Sequence, residues 1–148
     1  MQAKDIMARD LVTIGPKTTI REIARILLKH KISGLPVVDD DGRVLGMVSE
    51  GDLLHKEVMP KMPDALNILG AIIYYNGLSE YKAAFKKMSA FTAEEIMTEK
   101  VISVQEDTDV SKVGEIMLEY HIKRVPVLSG TRLMGIISRS DIVRMLLE

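Results

Sequence analysis

The chain repeats itself at a spacing of ninety residues, and this repeat constrains its fold more than any other feature. The segment 32–38 (ISGLPVV) aligns with 122–128 (IKRVPVL). After a turn that is one residue shorter in the second copy, 46–52 (GMVSEGD) aligns with 135–141 (GIISRSD). Two copies at this spacing are too few and too long for a solenoid. We therefore expect two similar half-domains packed about a pseudo-twofold axis.

Both copies predict the same order of elements, β-α-β-β-α. Thr19 and Glu22 have the spacing of a helical capping box, and the residues that follow are apolar at helical period. Asp39-Asp40-Asp41-Gly42 is typical of a hairpin turn in which the glycine adopts a positive φ. The first copy predicts strand 11–14, a helix after Thr18-Thr19, strands 35–38 and 44–49, with Pro36 at an edge or a strand start, and a helix from Gly51 or Asp52. The second copy predicts strand 101–104, helix 109–120, strands 125–128 and 133–138, and helix 140–147.

The forty residues between the copies have no counterpart in the repeat, and we interpret them as a helical insert. Pro60 and Pro63 end the preceding helix. A first helix, stopped by Asn76-Gly77, is indicated by Ala65, Ile68, Leu69, Ile72 and Ile73. A second amphipathic helix is indicated by Leu78, Tyr81, Phe85 and Met88. Thr92 and Glu95 form another capping-box pair, before a short helix that holds Ile96-Met97. The domain boundaries are therefore 1–54, 55–94 and 95–148. The insert's apolar stripe completes the core or, as the alternative, forms a ligand lid or a dimer surface.

Composition excludes several classes of function. The 20 Lys and Arg nearly balance the 21 Asp and Glu, which argues against a general nucleic-acid binder. With no cysteine, the chain has neither disulfides nor thiolate metal sites nor a cysteine nucleophile. The longest apolar run, 68–75, is far shorter than a membrane span. The first ten residues lack the pattern of a signal peptide, so we expect a cytoplasmic protein.

No catalytic or metal-binding motif stands out. His30, His55 and His121 lack ligand partners at a recognised spacing, so we assign no metal site. The run 39–42 lacks the ligand alternation of a calcium loop, and a hairpin turn explains it better. Phosphate-loop, dinucleotide and serine-hydrolase motifs are also missing. We therefore expect a protein that is not an enzyme and requires no cofactor.

The sharpest feature shared by the copies is a strand followed by Ser-x-x-Asp and a helix. It occurs once at Ser49 and Asp52 and again at Ser138 and Asp141. Helix capping explains the spacing, because the serine accepts from free N–H groups and the aspartate suits the helix dipole. The same geometry suits a ligand, because a hydroxyl at a helix start meets phosphate and a carboxylate accepts hydrogen bonds from ribose hydroxyls. Spacing alone favours capping.

The repeats resemble a tandem pair of CBS domains, the cystathionine-β-synthase regulatory repeat, also called a Bateman module. The resemblance covers residues 5–54 and 95–147. It rests on DIM at 5–7 and EIM at 95–97, together with the two aligned pairs of segments described above. It implies an α+β fold with two clefts that bind AMP, ADP or ATP, or in some members S-adenosylmethionine or NADH. It also implies a disc-like homodimer formed through the helices.

The resemblance further implies that each cleft combines residues of both repeats. In the first cleft Asp52 holds the ribose hydroxyls, Val101, Ile122 and Met47 sandwich the adenine, and Ser49, Lys123 and Arg124 meet the phosphates. The complete first set is Met47, Ser49, Gly51, Asp52, Lys100, Val101, Ile122, Lys123 and Arg124. The second set is Asp10, Leu11, Ile32, Ser33, Gly34, Ile136, Ser138, Arg139, Ser140 and Asp141, with Arg139 supplying positive charge.

The two clefts differ in charge. Lys100, Lys123 and Arg124 stand in the first where Asp10, Ser33 and Gly34 stand in the second. Because charge-assisted hydrogen bonds are the stronger ones, we expect charged ligands to prefer the Asp52 cleft. A solvated basic pair at a helix end explains Lys123 and Arg124 equally well.

These observations favour a non-catalytic sensor that binds an adenine nucleotide and signals, by a change of shape or oligomeric state, to an effector protein that the sequence does not name. A structural or protein-interaction module with empty clefts is the alternative. Both Ser-x-x-Asp carboxylates are retained, which favours the sensor.

Overall fold

The computed structural model of the chain describes residues 1–55, 63–88 and 90–147. The predicted helix break at Pro60 lies outside these ranges, and at Met88 the structure describes the backbone alone, so the predicted contribution of its side chain to the apolar stripe is outside the described part. Five elements belong to the first repeat: α1 (Ala3–Ile6), α2 (Ile20–His30), β1 (Gly34–Val38), β2 (Val44–Ser49) and α3 (Glu50–Leu54).

The insert and the second repeat contribute the remaining elements. Three lie between the repeats or at their junction: β3 (Asp64–Ile68), β4 (Ala71–Asn76) and α4 (Leu78–Met88). The second repeat contains α5 (Ala93–Ile96), β5 (Val104–Gln105), α6 (Val110–Glu119), β6 (Arg124–Ser129), β7 (Arg132–Ser138), α7 (Arg139–Arg144) and a final 3-10 turn (Met145–Leu147). The fold is the predicted α+β arrangement of two repeats.

Local chemistry explains why the helices start where they do. Thr19 accepts a hydrogen bond from the Glu22 N–H, while the Glu22 carboxylate accepts one from the Thr19 N–H, so the predicted capping box is confirmed. At the equivalent place in the second repeat, Asp109 caps α6 by accepting from Ser111. The Ser111 hydroxyl also donates to this carboxylate, and this bond, together with the one from the Ser111 N–H, lowers the pKa of the Asp109 carboxyl below its ordinary value.

The predicted first strand of each repeat is much shorter than expected. Only Ile14 pairs in the first repeat, through a parallel bridge to Val37, and only Val104–Gln105 pair in the second. The Ile14 N–H donates to the Pro36 carbonyl, and the Val38 N–H donates to Ile14. Pro36 thus takes part as an acceptor, which a residue without an N–H can do. The predicted strands 11–14 and 101–104 were too long because β propensity does not supply a pairing partner for every residue.

The first predicted helix of the insert is wrong, because residues 64–76 form a β-hairpin. Strands β3 and β4 pair in antiparallel register around a turn at Leu69-Gly70, where φ is +50° and +81°. Positive φ at both turn positions matches the twist of a hairpin. The long apolar run satisfied helical and strand spacing alike, and its β-branched and aromatic residues favour the strand. The second predicted helix is confirmed as α4.

The capping box predicted for Thr92 and Glu95 does not form, although the short helix α5 does. The Thr92 side chain makes no cap hydrogen bond to the helix, and its hydroxyl donates instead to the Glu95 carboxylate at 2.8 Å. The backbone of this segment is fixed by other contacts. The Ala93 N–H donates to the Thr18 carbonyl and the Glu94 N–H donates to Pro16.

The chain divides into two compact units that do not coincide with the two sequence repeats. The first unit comprises 1–15, 36–46 and 99–148, and the second comprises 16–35 and 47–98. In the first unit Ala8 and Ile136 exchange two backbone hydrogen bonds of 2.9 and 3.1 Å. In the second unit Met47 and Thr98 exchange two of 3.0 and 2.9 Å. The entry segment of each repeat therefore pairs with the last strand of the other repeat's hairpin.

Each unit buries an apolar core built from equivalent positions. In the first unit Val113 and Met117 of α6 are buried, and in the second unit Ile23 and Leu27 of α2 are buried at the matching places. The first core is completed by Ala3, Met7, Val104, Val125, Val127 and Ile137. In the second unit, Leu35, Val48, Ala90, Ala93 and Ile96 are also buried.

Gly135 should not tolerate a side chain, because the entry segment passes directly over it. A Cβ there would lie 2.5 Å from the Met7 sulfur and 2.9 Å from the Ala8 carbonyl oxygen. We expect Gly135→Ala to lower the free energy of unfolding by about 1–3 kcal/mol through overpacking. Gly15→Ala is the matched control, since a Cβ there meets no described atom within 4 Å. Urea unfolding checks both, and equal effects would contradict this account of the entry segment.

Candidate functional site

Ser49 and Asp52 form a closed hydrogen-bonded turn at the start of α3. The Asp52 Oδ2 atom accepts from the Ser49 N–H at 2.9 Å and from the Ser49 hydroxyl at 3.2 Å. The Ser49 Oγ atom in turn lies 3.4 Å from the Asp52 nitrogen, which donates to it. Asp52 is the one charged residue among the buried ones in the described part of the chain, with 7% of its surface exposed. The capping role of this motif is therefore confirmed.

Ser138 and Asp141 repeat this arrangement at the start of α7. The Asp141 Oδ2 atom accepts from the Ser138 N–H at 2.7 Å and from its hydroxyl at 2.6 Å. The Ser140 hydroxyl lies 2.8 Å from that of Ser138 and extends the polar cluster. In both copies the cap uses one carboxylate oxygen of the aspartate, Oδ2, which we call the inner oxygen. Binding of any further donor therefore falls to the outer oxygen, Oδ1.

The outer oxygens have different partners in the two copies. The Oδ1 atom of Asp52 forms an ion pair with Lys87 of helix α4, and the side chains of both residues are largely covered. The Oδ1 atom of Asp141 lies 3.4 Å from Arg144, whose side chain is 68% exposed. Lys87 belongs to the insert and has no counterpart in the repeat. No sequence pattern pointed to it, and it is the residue at this site that sequence reasoning missed.

The other residues predicted for the first cleft fall into two groups. Met47, Ser49, Gly51 and Asp52 lie in the second unit, where the Met47 backbone pairs with Thr98 immediately before the turn. The remaining five lie in the first unit: Lys100, Val101, Ile122, Lys123 and Arg124. Lys100 and Lys123 are exposed, and Val101, Ile122 and Arg124 are partly buried. That they join the first group in one cleft stays a prediction.

The residues predicted for the second cleft divide similarly. Ile136, Ser138, Arg139, Ser140 and Asp141 lie in the first unit with Asp10 and Leu11, whereas Ile32, Ser33 and Gly34 lie in the second. The Arg139 N–H donates to the Lys123 carbonyl, and its side chain donates to the Ile122 carbonyl, both at 3.1 Å. Arg139 therefore lies beside two residues that the sequence assigned to the other cleft. Correspondingly, the Glu50 N–H donates to the Ser33 carbonyl at 2.9 Å in the second unit.

The described residues offer no evident metal centre. No group of three or more acidic or histidine side chains in 1–55, 63–88 and 90–147 is placed to hold an ion. Asp39 instead accepts from the backbone of Asp41 and Arg43 at 2.9 Å, as a hairpin turn requires. A separate search of the same residues finds no helix with the length and apolar character needed to cross a membrane.

The exchanged entry segments, the paired hairpins and the two Ser-x-x-Asp turns are the marks of one class of protein, a pair of CBS domains. The sequence model of the CBS domain matches residues 3–58 and 93–148. This chain belongs to the CBS domain family.

Similar proteins agree with this assignment. The crystal structure of CBSX2 in complex with AMP superposes with a TM-score of 0.83 at 25% identity, covering 99% of this chain and 96% of that one. The CBS domain pair of protein MJ0100, in complex with 5′-methylthioadenosine and S-adenosyl-L-methionine, gives a TM-score of 0.71 at 31% identity, covering 99% and 95%. An uncharacterized protein of Methanocaldococcus jannaschii, MJ1426, is 29% identical over 99% of this chain and 92% of its own length. Several other curated relatives are longer, and this chain spans only 22% to 60% of them.

The capping role of the serine predicts a measurable loss of stability. We expect Ser138→Ala to lower the free energy of unfolding by about 1 kcal/mol, because the Asp141 N–H loses its acceptor at the start of α7. Ser140→Ala serves as the matched control in the same helix, since among the described residues its hydroxyl contacts the Ser138 hydroxyl and caps no backbone N–H. Chemical denaturation compares the two variants. A loss that is equal in both would contradict the capping role.

Proposed function

We propose that this chain is a non-catalytic regulatory module that binds an adenine nucleotide through its Ser-x-x-Asp turns. The observation that carries the proposal is the hydrogen-bond pattern shared by the two turns, in each of which the cap uses the aspartate Oδ2 and leaves Oδ1 outside it. The two adenine-ligand complexes of related CBS pairs support it.

The hydrogen-bond capacity of the carboxylates supports ribose as the recognised group. A carboxylate has about four acceptor directions, and the serine of each turn fills two of them at Oδ2. At Asp52, Lys87 occupies one more direction, while the long contact from exposed Arg144 leaves Asp141 more accessible. The two neighbouring hydroxyls of a ribose are two such donors, so they can bind the outer oxygen of Asp141 directly and that of Asp52 when Lys87 gives up its direction.

The two turns are proposed to differ in the ligand that they prefer. Lys87 adds a positive charge close to Asp52. This charge is additional to those of Lys100, Lys123 and Arg124, which the resemblance assigns to the first cleft. Charged adenine nucleotides are therefore expected to depend on Asp52 more than on Asp141. AMP, ADP and ATP are the first candidates, and S-adenosylmethionine and NADH are the alternatives. Binding is proposed to change the shape or the oligomeric state of the protein and thereby its affinity for an effector.

Titration calorimetry with AMP, ADP, ATP, S-adenosylmethionine, NADH and a GMP control tests this function. We expect binding of at least one adenine ligand and none of GMP. Asp52→Asn should weaken the charged ligand by roughly tenfold or more, because a charge-assisted hydrogen bond contributes about 1.5–3 kcal/mol. Asp141→Asn is the matched control and should have the smaller effect. Equal losses would contradict the asymmetry, and no binding of any adenine ligand would contradict the function.

Lys87 provides a second prediction, because it competes with the ribose for Asp52 Oδ1. We expect Lys87→Met to tighten the binding of adenosine severalfold, because Asp52 Oδ1 is then free to accept from the ribose. Adenosine has no phosphate, so removing the Lys87 charge takes no partner away from it. AMP should gain less or bind more weakly. Lys86→Met is the control, because Lys86 is exposed on the same helix. Unchanged adenosine affinity, measured by calorimetry, would contradict the competition.

A protein-interaction module is the second candidate function. It is favoured by the exposed apolar surface of the insert, where both strands of the hairpin are accessible along their whole length. The calorimetric screen separates the candidates, because an interaction module with empty clefts gives no heat with any of the nucleotides. Measuring product formation after incubation with ATP and AMP tests the proposed lack of catalysis.

A further inference from the structure

An ion pair in a largely covered position attaches helix α4 to the turn that begins α3. Lys87, in the last turn of α4, pairs with the Oδ1 atom of Asp52. The two side chains are 25% and 9% exposed. A carboxylate that is covered to this degree needs a partner of opposite charge or several hydrogen bonds, because the loss of its hydration is otherwise uncompensated. Lys87 therefore balances the charge of Asp52.

The rest of helix α4 is weakly packed. Among residues 78–87 none is fully buried, and the partly buried ones recur at intervals of three: Leu78, Tyr81, Ala84 and Lys87. The helix has eleven residues. A helix of this length has little stability of its own and depends on the packing of one face. The ion pair of Lys87 is therefore an important attachment of α4 to the second unit.

The hairpin β3–β4 is joined directly to this helix. Gly77 alone separates Asn76, the last residue of β4, from the start of α4. The Asn76 side chain donates to the Asp64 carboxylate at 3.2 Å and closes the base of the hairpin. A Cβ on Gly77 would lie 3.6 Å from the Pro63 Cα atom, so the chain that enters the hairpin passes beside the chain that leaves it. Every residue from 64 to 76 is exposed, so a displacement of α4 carries the hairpin with it.

We propose that the insert is an autoinhibitory element of the Asp52 site, in which Lys87 and an adenine nucleotide exclude each other. This inference rests on the proposed function. The cap uses Oδ2, so Lys87 and the ribose hydroxyls require the same oxygen, Oδ1. A ligand that binds there displaces Lys87, detaches the last turn of α4 and frees the helix and the hairpin to move. By linkage, the attached insert weakens ligand binding by the same factor by which the ligand weakens the attachment.

The second Ser-x-x-Asp turn has a different arrangement. Arg144, which lies 3.4 Å from the Asp141 Oδ1 atom, belongs to the same helix as Asp141 and is 68% exposed. A ligand at Asp141 therefore displaces a solvated side chain and detaches no other element. The coupling to the insert is specific to Asp52.

Hydrogen exchange followed by mass spectrometry tests the attachment in the protein alone. We expect Lys87→Met to raise the exchange rate of segments 64–76 and 78–87 by roughly threefold or more, because α4 loses its charged attachment. Lys87→Arg keeps the charge and should exchange like the wild type. Lys86→Met is the matched control, since Lys86 is exposed on the same helix. Melting curves establish that each variant is folded, and equal exchange in Lys87→Met and Lys86→Met would overturn the proposal.

Acetylation of lysine amines, quantified at each residue by mass spectrometry, tests the exclusion. Lys87 should react severalfold more slowly than Lys86 in the protein alone, because its amine is paired and largely covered. Adenosine is the probe, since it has no phosphate to pair with the released amine. At a saturating concentration it should raise the rate at Lys87 severalfold and leave the rate at Lys86 unchanged. It should also raise the exchange of the insert in the wild type but not in Lys87→Met.

Calorimetry on the same samples separates failure of the exclusion from failure of the proposed function. Heat of adenosine binding with unchanged acetylation at Lys87 would overturn the exclusion and leave the function standing. Heat with adenosine in Lys87→Met alone would support the exclusion, because the substitution then removes the competitor. Absence of heat with adenosine and with AMP, in the wild type and in Lys87→Met, would overturn the exclusion and contradict the binding of AMP on which it rests.

Discussion

Two reciprocal pairs of backbone hydrogen bonds hold this fold together, one between Ala8 and Ile136 and one between Met47 and Thr98. Each pair attaches the entry segment of one repeat to the last hairpin strand of the other. The apolar cores follow from this exchange, because Ala3 and Met7 are buried among residues of the second repeat. A single repeat would leave its hairpin edge unpaired and its core incomplete. The doubled sequence therefore pairs both hairpin edges and completes the core around Ala3 and Met7, whatever it contributes to binding.

The same exchange fixes the turns on which the proposed function rests. Met47 and Ile136 are held by their backbones two residues before Ser49 and Ser138, so each serine begins its helix from an anchored strand. Capping and ligand binding are compatible in this arrangement, because the cap uses Oδ2 and leaves Oδ1 for another donor. One short motif thus starts a helix and presents a carboxylate. The partners of the outer oxygen, Lys87 and Arg144, make the two copies chemically different.

The sequence was most informative where structure is decided locally. The hairpin turn at Gly42 and the capping boxes of Thr19, Ser49 and Ser138 were predictable, since each depends on residues within a few positions of one another. The exchange of entry segments was not, because backbone hydrogen bonds between distant residues leave no side-chain pattern. The insert was misinterpreted because a continuous apolar run fits helical and strand periods alike. Lys87 gave no signal because its partner lies thirty-five positions away in a different element.

The central claim is that an aspartate of the Ser-x-x-Asp turn binds the ribose hydroxyls of an adenine nucleotide. Calorimetric comparison of AMP with its 2′,3′-dideoxy analogue, in the wild-type protein and in Asp52→Asn, tests it most directly. We expect removal of the hydroxyls to weaken binding to the wild type by roughly tenfold or more, as for loss of charge-assisted hydrogen bonds. Most of this difference should disappear in the variant. Equal affinity of the wild type for both ligands would contradict the claim.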